Sequence, residues 1–177
     1  MNRIRRVVPV AAVLSVAALG VLACAAPPST DAEKAERLTK MVADVSEQFP
    51  DVRTMTVEEV GRLLEKDSIV LIDIREERER DVSVIPGSIS AAEYEADPER
   101  YHDVAAVAYC TIGYRSSEYA QRMNAEGHEV FNLTGSILAW VQAGGPLVND
   151  EGSTTRLHVY GKRWNLAPDR YETIWQP

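Results

Sequence analysis

The sequence predicts an α/β fold, with a mainly parallel central sheet flanked by helices on both faces. Two observations carry this. Ser68 to Asp73 (SIVLID) and Val104 to Tyr109 (VAAVAY) are continuous apolar runs, the pattern of strands buried on both sides. Segments of helical character alternate with these runs along the chain, the order in which parallel strands are connected.

Taken in order, Leu38, Met41, Val42, Val45 and Phe49 recur at three-to-four spacing and predict an amphipathic helix over residues 32–50, ended by Pro50. Thr56-Val57-Glu58-Glu59 has the form of a capping box, so a helix is expected from Val57 to about Lys66. The strand SIVLID follows. Ile85-Pro86-Gly87-Ser88-Ile89 reads as a turn into a short extended piece, and Asp97 to Tyr101 as one helical turn. After VAAVAY, a helix is expected over Ser116 to Glu126 with Gly127 as its stop, a third strand over Glu129 to Leu133, and a helix over Ser136 to Ala143 before Gly144-Gly145-Pro146. The end of the chain carries Tyr160, Trp164, Tyr171 and Trp175. Four large rings are expected to cover the domain rather than stand in water, with a ligand-facing role as the alternative.

The N-terminus reads as an export signal. Arg3, Arg5 and Arg6 precede an apolar stretch from Val7 to Ala23, slightly short of the roughly 20 residues a membrane span needs. It ends in Val21-Leu22-Ala23-Cys24, which resembles a bacterial lipobox and implies cleavage before Cys24 and lipid attachment there. The expected organisation is a signal peptide over 1–23, a lipidated tether over 24–31, the helix over 32–50, the α/β domain over 54–150 and an aromatic extension over 151–177. That places the protein in the bacterial cell envelope, lipid-anchored and extracytoplasmic. The formal net charge is −8, and without the first three arginines 16 basic residues face 27 acidic ones. Such a surface repels nucleic acid, so no nucleic-acid partner is expected.

The chain has two cysteines, and lipidation would use Cys24. Cys110 is then a lone thiol in an oxidising compartment, read either as a small buried hydrophobe or as a functional group. Its setting favours function. Cys110-Thr111-Ile112-Gly113-Tyr114-Arg115-Ser116-Ser117 joins an expected strand end to an expected helix N-terminus. Ligands sit at the carboxyl ends of strands in such sheets, and a helix N-terminus presents free N–H groups. Gly113 allows a backbone angle that turns more N–H groups inward, and Arg115 adds a permanent charge. The loop therefore suits an anionic sulfur, its persulfide or an oxyanion. His102, His128 and His158 lack the spacing of metal ligands, and neither a metal nor an organic cofactor is expected. Asn132-Leu133-Thr134 fits a glycosylation sequon, but by chance in a bacterial chain.

The CTIGYRS loop resembles the active-site loop of rhodanese-like domains. Leu71-Ile72-Asp73-Ile74-Arg75 is similar to the family's Asp-x-Arg strand end, Ile85-Pro86-Gly87-Ser88-Ile89 to its Pro-Gly turn, and Leu133-Thr134-Gly135-Ser136 with Trp140 to its late segment. The resemblance runs from about Thr54 to Val148, in family order. It implies a compact α/β domain and a sulfurtransferase that carries sulfane sulfur as a Cys110 persulfide, from a donor such as thiosulfate or a persulfide to a thiol acceptor. Cys110 and Arg115 would be the catalytic pair, Thr111, Ile112, Gly113, Tyr114 and Ser116 the binding loop, and Asp73 and Arg75 braces of the loop or fold. Two positions depart from the family pattern: Ser83-Val84 stands where Gly-His is frequent, and the loop has a single cation. The second makes it a weak match to thiosulfate.

Two other readings compete. A cysteine phosphatase also cradles an oxyanion between Cys and Arg, but with five intervening residues, whereas four separate Cys110 from Arg115. A non-catalytic, membrane-anchored binding or sensor module would use the same fold without chemistry. A protein partner is not specified by any of these features. The lipobox reading has a direct consequence: Cys24→Ser should abolish partitioning of the full chain into detergent, and a variant that still partitions would have another anchor.

Overall fold

A computed structural model describes residues 27–175 of the chain. The signal-peptide and Cys24 expectations lie outside the described residues. Among the described residues, no helix is long and apolar enough to cross a membrane.

The first element, α1 (Asp31–Gln48), is capped by a reciprocal pair in which Thr30 accepts from the Glu33 N–H and the Glu33 carboxylate accepts from the Thr30 N–H. It leads into β1 (Thr54–Met55) and α2 (Val57–Leu64), whose capping box, Thr56 with Glu59, stands where the sequence marks it. Then come β2 (Ile69–Asp73), the single turn α3 (Glu77–Arg80), β3 (Ile89–Ser90), α4 (Ala91–Ala96), a 3-10 turn (Pro98–Tyr101) and β4 (Ala105–Tyr109). The domain continues with α5 (Tyr114–Ala125), β5 (Val130–Leu133) and α6 (Ser136–Gln142). Helix α5 begins two residues before the expected Ser116, because Gly113 adopts φ 114° and lets the chain turn into the helix at once.

The five strands form one parallel sheet in the order β1-β5-β4-β2-β3. Successive side chains take opposite faces, so each buried strand feeds two cores. Val70 and Ile72 of β2, Ala106 and Ala108 of β4 and Val130 of β5 pack with Tyr94 of α4 and with Tyr119, Ala120 and Met123 of α5. Leu71, Val107, Tyr109 and Leu133 point the other way, onto Leu38 and Val45 of α1, Val60 of α2 and Ile137, Leu138 and Val141 of α6. This is why the positions between Ser68 and Asp73, and VAAVAY, are apolar on both faces. After β2 the chain runs outward to β3, and after β4 it runs the opposite way to β5. The carboxyl ends of β2 and β4 therefore flank a topological switch point, where a crevice opens.

The segment after α6 builds on the same core. Strands β6 (Leu147–Asn149) and β7 (Gly152–Thr154) form a hairpin, and β8 (Arg156–His158) pairs in parallel with β9 (Glu172–Ile174). Leu157, Val159, Leu166 and Ala167 are buried in the α1/α2/α6 core, and Trp164, Tyr171 and Trp175 pack against it, whereas Tyr160 stays 52% exposed. Polar ties fix the segment: Gln142 Nε2 donates to Leu166 O (2.8 Å), Arg170 Nη2 to Val141 O (2.8 Å), and the half-exposed Tyr171 hydroxyl to Gly145 O (3.2 Å). Lys34 of α1, almost wholly buried, pairs with Asp169, which joins the first helix to the last segment. The Ser83 hydroxyl donates to Arg156 O at 2.7 Å, a bond that a glycine, frequent at this position in the resembling family, could not make. Truncating a core side chain of the extension should therefore weaken the whole domain. Leu157→Ala should lower the unfolding free energy by about 2–4 kcal/mol in a denaturant titration of the full chain, in a single transition. A separate early transition would show the extension to be a detachable flap.

Candidate active site

Cys110 follows the last residue of β4 and is 1% exposed. Its sulfur accepts from the Gly113 N–H at 3.2 Å. The loop is shaped from below by α6, whose first free N–H groups, those of Ile137 and Leu138, donate to the carbonyls of Cys110 (3.2 Å) and Thr111 (3.3 Å). With the Cys110 and Thr111 carbonyls engaged there, the Gly113 N–H is directed at the sulfur. Gly113 also sits close to a neighbour: a Cβ there would lie 3.3 Å from Asn132 Nδ2, in addition to the left-handed φ.

Two hydroxyls stand near the sulfur, Ser116 Oγ at 3.5 Å and Ser136 Oγ at 3.9 Å. Ser116 has one proton, and Asn132 Oδ1 at 2.7 Å holds it more closely than the sulfur does. Ser136 accepts the Cys110 N–H at 3.0 Å. Asn132 in turn donates to Ser117 Oγ at 2.9 Å. These residues form a buried polar floor under the cysteine. Asn132, read from sequence as part of a chance sequon, is 3% exposed and belongs to this floor.

Arg115 does not stand free beside the sulfur. Its guanidinium makes a two-pronged contact with Glu79 (2.7 and 2.9 Å), donates to Thr111 Oγ1 (3.2 Å) and lies 4.9 Å from the centre of the Tyr160 ring. Burial works against its charge, but the Glu79 hydrogen bonds, the nearby Cys110 sulfur and the Glu79 charge outweigh this and raise its pKa above the ordinary arginine value. Glu79 shows the reciprocal balance. Burial disfavours its carboxylate, while the Arg115 hydrogen bonds and charge, with further help from the Glu76 N–H and Arg75, bring its pKa below the usual value. His158 Nδ1 is 3.7 Å from the same carboxylate and 3.2 Å from the Tyr160 N–H, which it accepts.

Asp73 and Arg75 are paired with each other and fully buried. Arg75 Nη2 reaches Asp73 Oδ2 (2.6 Å) and Ser83 O (2.7 Å), and Nε reaches Asp73 Oδ1 (2.9 Å). The Tyr109 hydroxyl donates to Asp73 Oδ2 at 2.7 Å and accepts the Ile85 N–H at 3.1 Å. Burial, then the neighbouring Asp73 charge, pushes the Tyr109 hydroxyl well above its ordinary pKa, so it stays a donor. The pair thus ties the end of β2, the residue before Cys110 and the loop that carries Glu79 into one unit.

Above Cys110 opens a cleft of about 550 Å³. Of the residues expected in the site, Cys110, Thr111, Ile112, Tyr114 and Arg115 line it, while Gly113 and Ser116 lie beneath and shape the loop. Tyr160 and Trp164 of the extension also face it, so part of the aromatic tail borders the cleft as well as covering the core. Tyr160 has φ 60°, a rare backbone state for a bulky residue. Sequence reasoning missed Glu79, Ser136 as a sulfur neighbour, and Asn132. Glu79 sits in the charge run Glu76-Glu77-Arg78-Glu79-Arg80, which reads as a solvated face, and nothing in its spacing marks it as the buried member. Among the described residues, no group of three or more His, Cys, Asp or Glu side chains is arranged to hold a metal ion.

A cysteine at a strand end, with the Gly113 N–H on its sulfur and an arginine closing its loop, on a five-stranded parallel sheet, defines an α/β protein whose loop suits an anionic sulfur or an oxyanion. Comparison with known proteins specifies the family. The family model of the Rhodanese-like domain matches residues 56–143. A sulfurtransferase from Allochromatium vinosum is 31% identical over 96 residues, covering 51% of this chain and 89% of the relative. The tRNA uridine(34) hydroxylase of Ruegeria pomeroyi is 30% identical over 95 residues, 48% of this chain but only 32% of that protein. The fold is shared with the thiosulfate sulfurtransferase of Pseudomonas aeruginosa (TM-score 0.52, 23% identity, 63% of this chain and 23% of that one). The chain belongs to the rhodanese-like family, which supports a sulfur-transfer role in general terms.

The Glu79–Arg115 pair has a pH signature. A carboxyl whose folded pKa lies below its ordinary value of 4.5 stabilises the fold fully above that value, and the contribution is lost as pH falls through the depressed folded value. Glu79→Gln should therefore flatten the fall in unfolding free energy of the full chain between about pH 5 and pH 2, read from denaturant midpoints. An unchanged slope would mean that Glu79 is not ionised in the fold.

Proposed function

We propose that Cys110 carries sulfane sulfur as a persulfide between a small donor and a thiol acceptor. The observation that carries this reading is the Cys110 sulfur at the cleft floor with the Gly113 N–H directed at it from the start of α5. In the first step the Cys110 thiolate attacks the outer sulfur of the donor. With thiosulfate, a new S–S bond forms to Cys110, the S–S bond of thiosulfate breaks, and sulfite leaves with the electron pair. In the second step an acceptor thiolate attacks the outer sulfur of the Cys110 persulfide and regenerates the cysteine. The loop N–H groups stabilise the persulfide anion, and Arg115, held in place by Glu79, offers positive charge at the rim for an anionic donor or leaving group. No step needs a metal or organic cofactor. The membrane anchor at Cys24 would hold this chemistry on the extracytoplasmic side of a bacterial membrane, with α1 beginning only a few residues after it.

The test is intact mass. The full chain incubated with thiosulfate or a low-molecular-weight persulfide should gain one sulfur atom, lost again on treatment with cyanide or a reducing thiol. Cys110→Ser should show neither change while keeping its fold. If no donor loads Cys110, the non-catalytic binding reading replaces this one.

A further inference from the structure

The groove beside the start of α1 carries a charge opposite to that of the chain. Over the whole sequence 27 acidic residues outnumber 19 basic ones. In this groove four cations, Lys34, Arg37, Lys162 and Arg163, meet a single carboxylate, that of Asp169. Asp169 is taken up by Lys34, the almost wholly buried member of the set. Among the described residues, Arg37, Lys162 and Arg163 make no ion pair, although the Arg163 guanidinium lies over the Trp164 ring, 4.5 Å from its centre. Lys162 and Arg163 are exposed and Arg37 is half-buried. Three like charges held together repel one another, a cost that an anion laid across them would remove.

The cluster is built by the fold rather than by neighbouring residues. Arg37 comes from α1, while Lys162 and Arg163 come from a 3-10 turn (Lys162–Trp164) of the extension. The Lys34–Asp169 pair clamps the two segments together, and Asp31 Oδ1 accepts the Asp169 N–H at 2.9 Å. The rest of the lining suits a boundary between water and lipid. Trp175 contributes a half-buried ring, and tryptophan is favoured where an apolar medium meets a wet one. Residues 27–29 also line the groove, which at about 590 Å³ has room for a phosphodiester headgroup.

We propose that this face docks on the membrane, with Arg37, Lys162 and Arg163 on the phosphates of anionic lipid headgroups. The proposal rests on the lipid anchor at Cys24 given above and is independent of the persulfide role. Pro27 is three residues from Cys24, a step that an extended chain spans in at most about 11 Å. Because residues 27–29 line the groove, an anchored Cys24 holds it close to the surface. That reach is on the order of the Debye length, about 8 Å at physiological salt, so the attraction is not screened out. Each cation near an anionic surface strengthens binding about fivefold. The anchor makes the contact intramolecular, so a few cations suffice to fix the orientation. Arg37 and Arg163 also line the cleft above Cys110, so docking sets that cleft beside the membrane surface.

The experiment places the lipidated full chain on phosphatidylcholine vesicles with and without phosphatidylglycerol. Flotation reports the anchor, and the acetylation rate of Lys162, read by peptide mass, reports the groove. Lys66 lines a separate groove with Met55 and Leu63 and serves as the reference. The chain should float with both kinds of vesicle. Phosphatidylglycerol should slow acetylation of Lys162 relative to Lys66 at least about fivefold, and high salt should remove the difference. Arg37→Glu and Arg163→Glu should each return the Lys162 rate to within about twofold of its value on phosphatidylcholine. Flotation with both vesicles and an equal Lys162 rate, or protection untouched by both substitutions, would overturn the proposal and leave the anchor standing. Protection that depends on protein density rather than on phosphatidylglycerol would overturn it in favour of a second copy of the chain. A chain that floats with neither vesicle lacks the anchor, and the proposed docking falls with it.

Discussion

The site depends on the buried pair of Asp73 and Arg75. Two fully buried charges lose their hydration, and such a pair is tolerable only when further hydrogen bonds satisfy what remains. Here they are satisfied in a way that fixes three pieces of chain. Arg75 holds the Ser83 carbonyl, Asp73 accepts from Tyr109, and Tyr109 in turn receives the Ile85 N–H. The end of β2, the residue before Cys110 and the 74–88 loop are locked together. Breaking one partner would leave the other charged and buried, which is far more costly than the pair is favourable. The pair is thus better read as a device for geometry than as a source of stability.

From that brace the arrangement of the cysteine follows. The 74–88 loop carries Glu79, Glu79 holds Arg115, and Arg115 bridges to Thr111 within the loop that begins at Cys110. On the opposite side, α6 binds the loop carbonyls and Asn132 fixes the serines below. Cys110 is therefore held from β2, β4, β5 and α6 together, at the point where the sheet changes direction. The sulfur meets a directed N–H, that of Gly113.

What the family segment does not supply is the enclosure. Helix α1 and the extension meet through Lys34 and Asp169 and close over the cleft from outside the matched residues. Tyr160 is the visible cost of that closure, held at φ 60° with its ring against Arg115. A loop of one chemistry can serve different substrates when walls of different charge are built above it.

The α/β class, the buried strands, the helix over α1 and the Cys110 loop could all be read along the chain, because each rests on local regularities: apolar runs, helical spacing, capping pairs and a glycine that must take a left-handed turn. Asp73 and Arg75 were visible through the resemblance of Leu71-Ile72-Asp73-Ile74-Arg75 to the family's Asp-x-Arg strand end. The short β1 and the β8–β9 pair carried too few residues to show a period, and the single turn α3 was hidden in a charge run. Glu79 could not be distinguished from its charged neighbours, since burial of one member depends on where Arg115 arrives from residues distant in sequence. Asn132 likewise belongs to the site only because β5 lies beside β4. Local backbone preference and side-chain periodicity are written in neighbouring residues, but the partner of a buried charge and the shape of a cleft are set by elements that meet only after the sheet has formed.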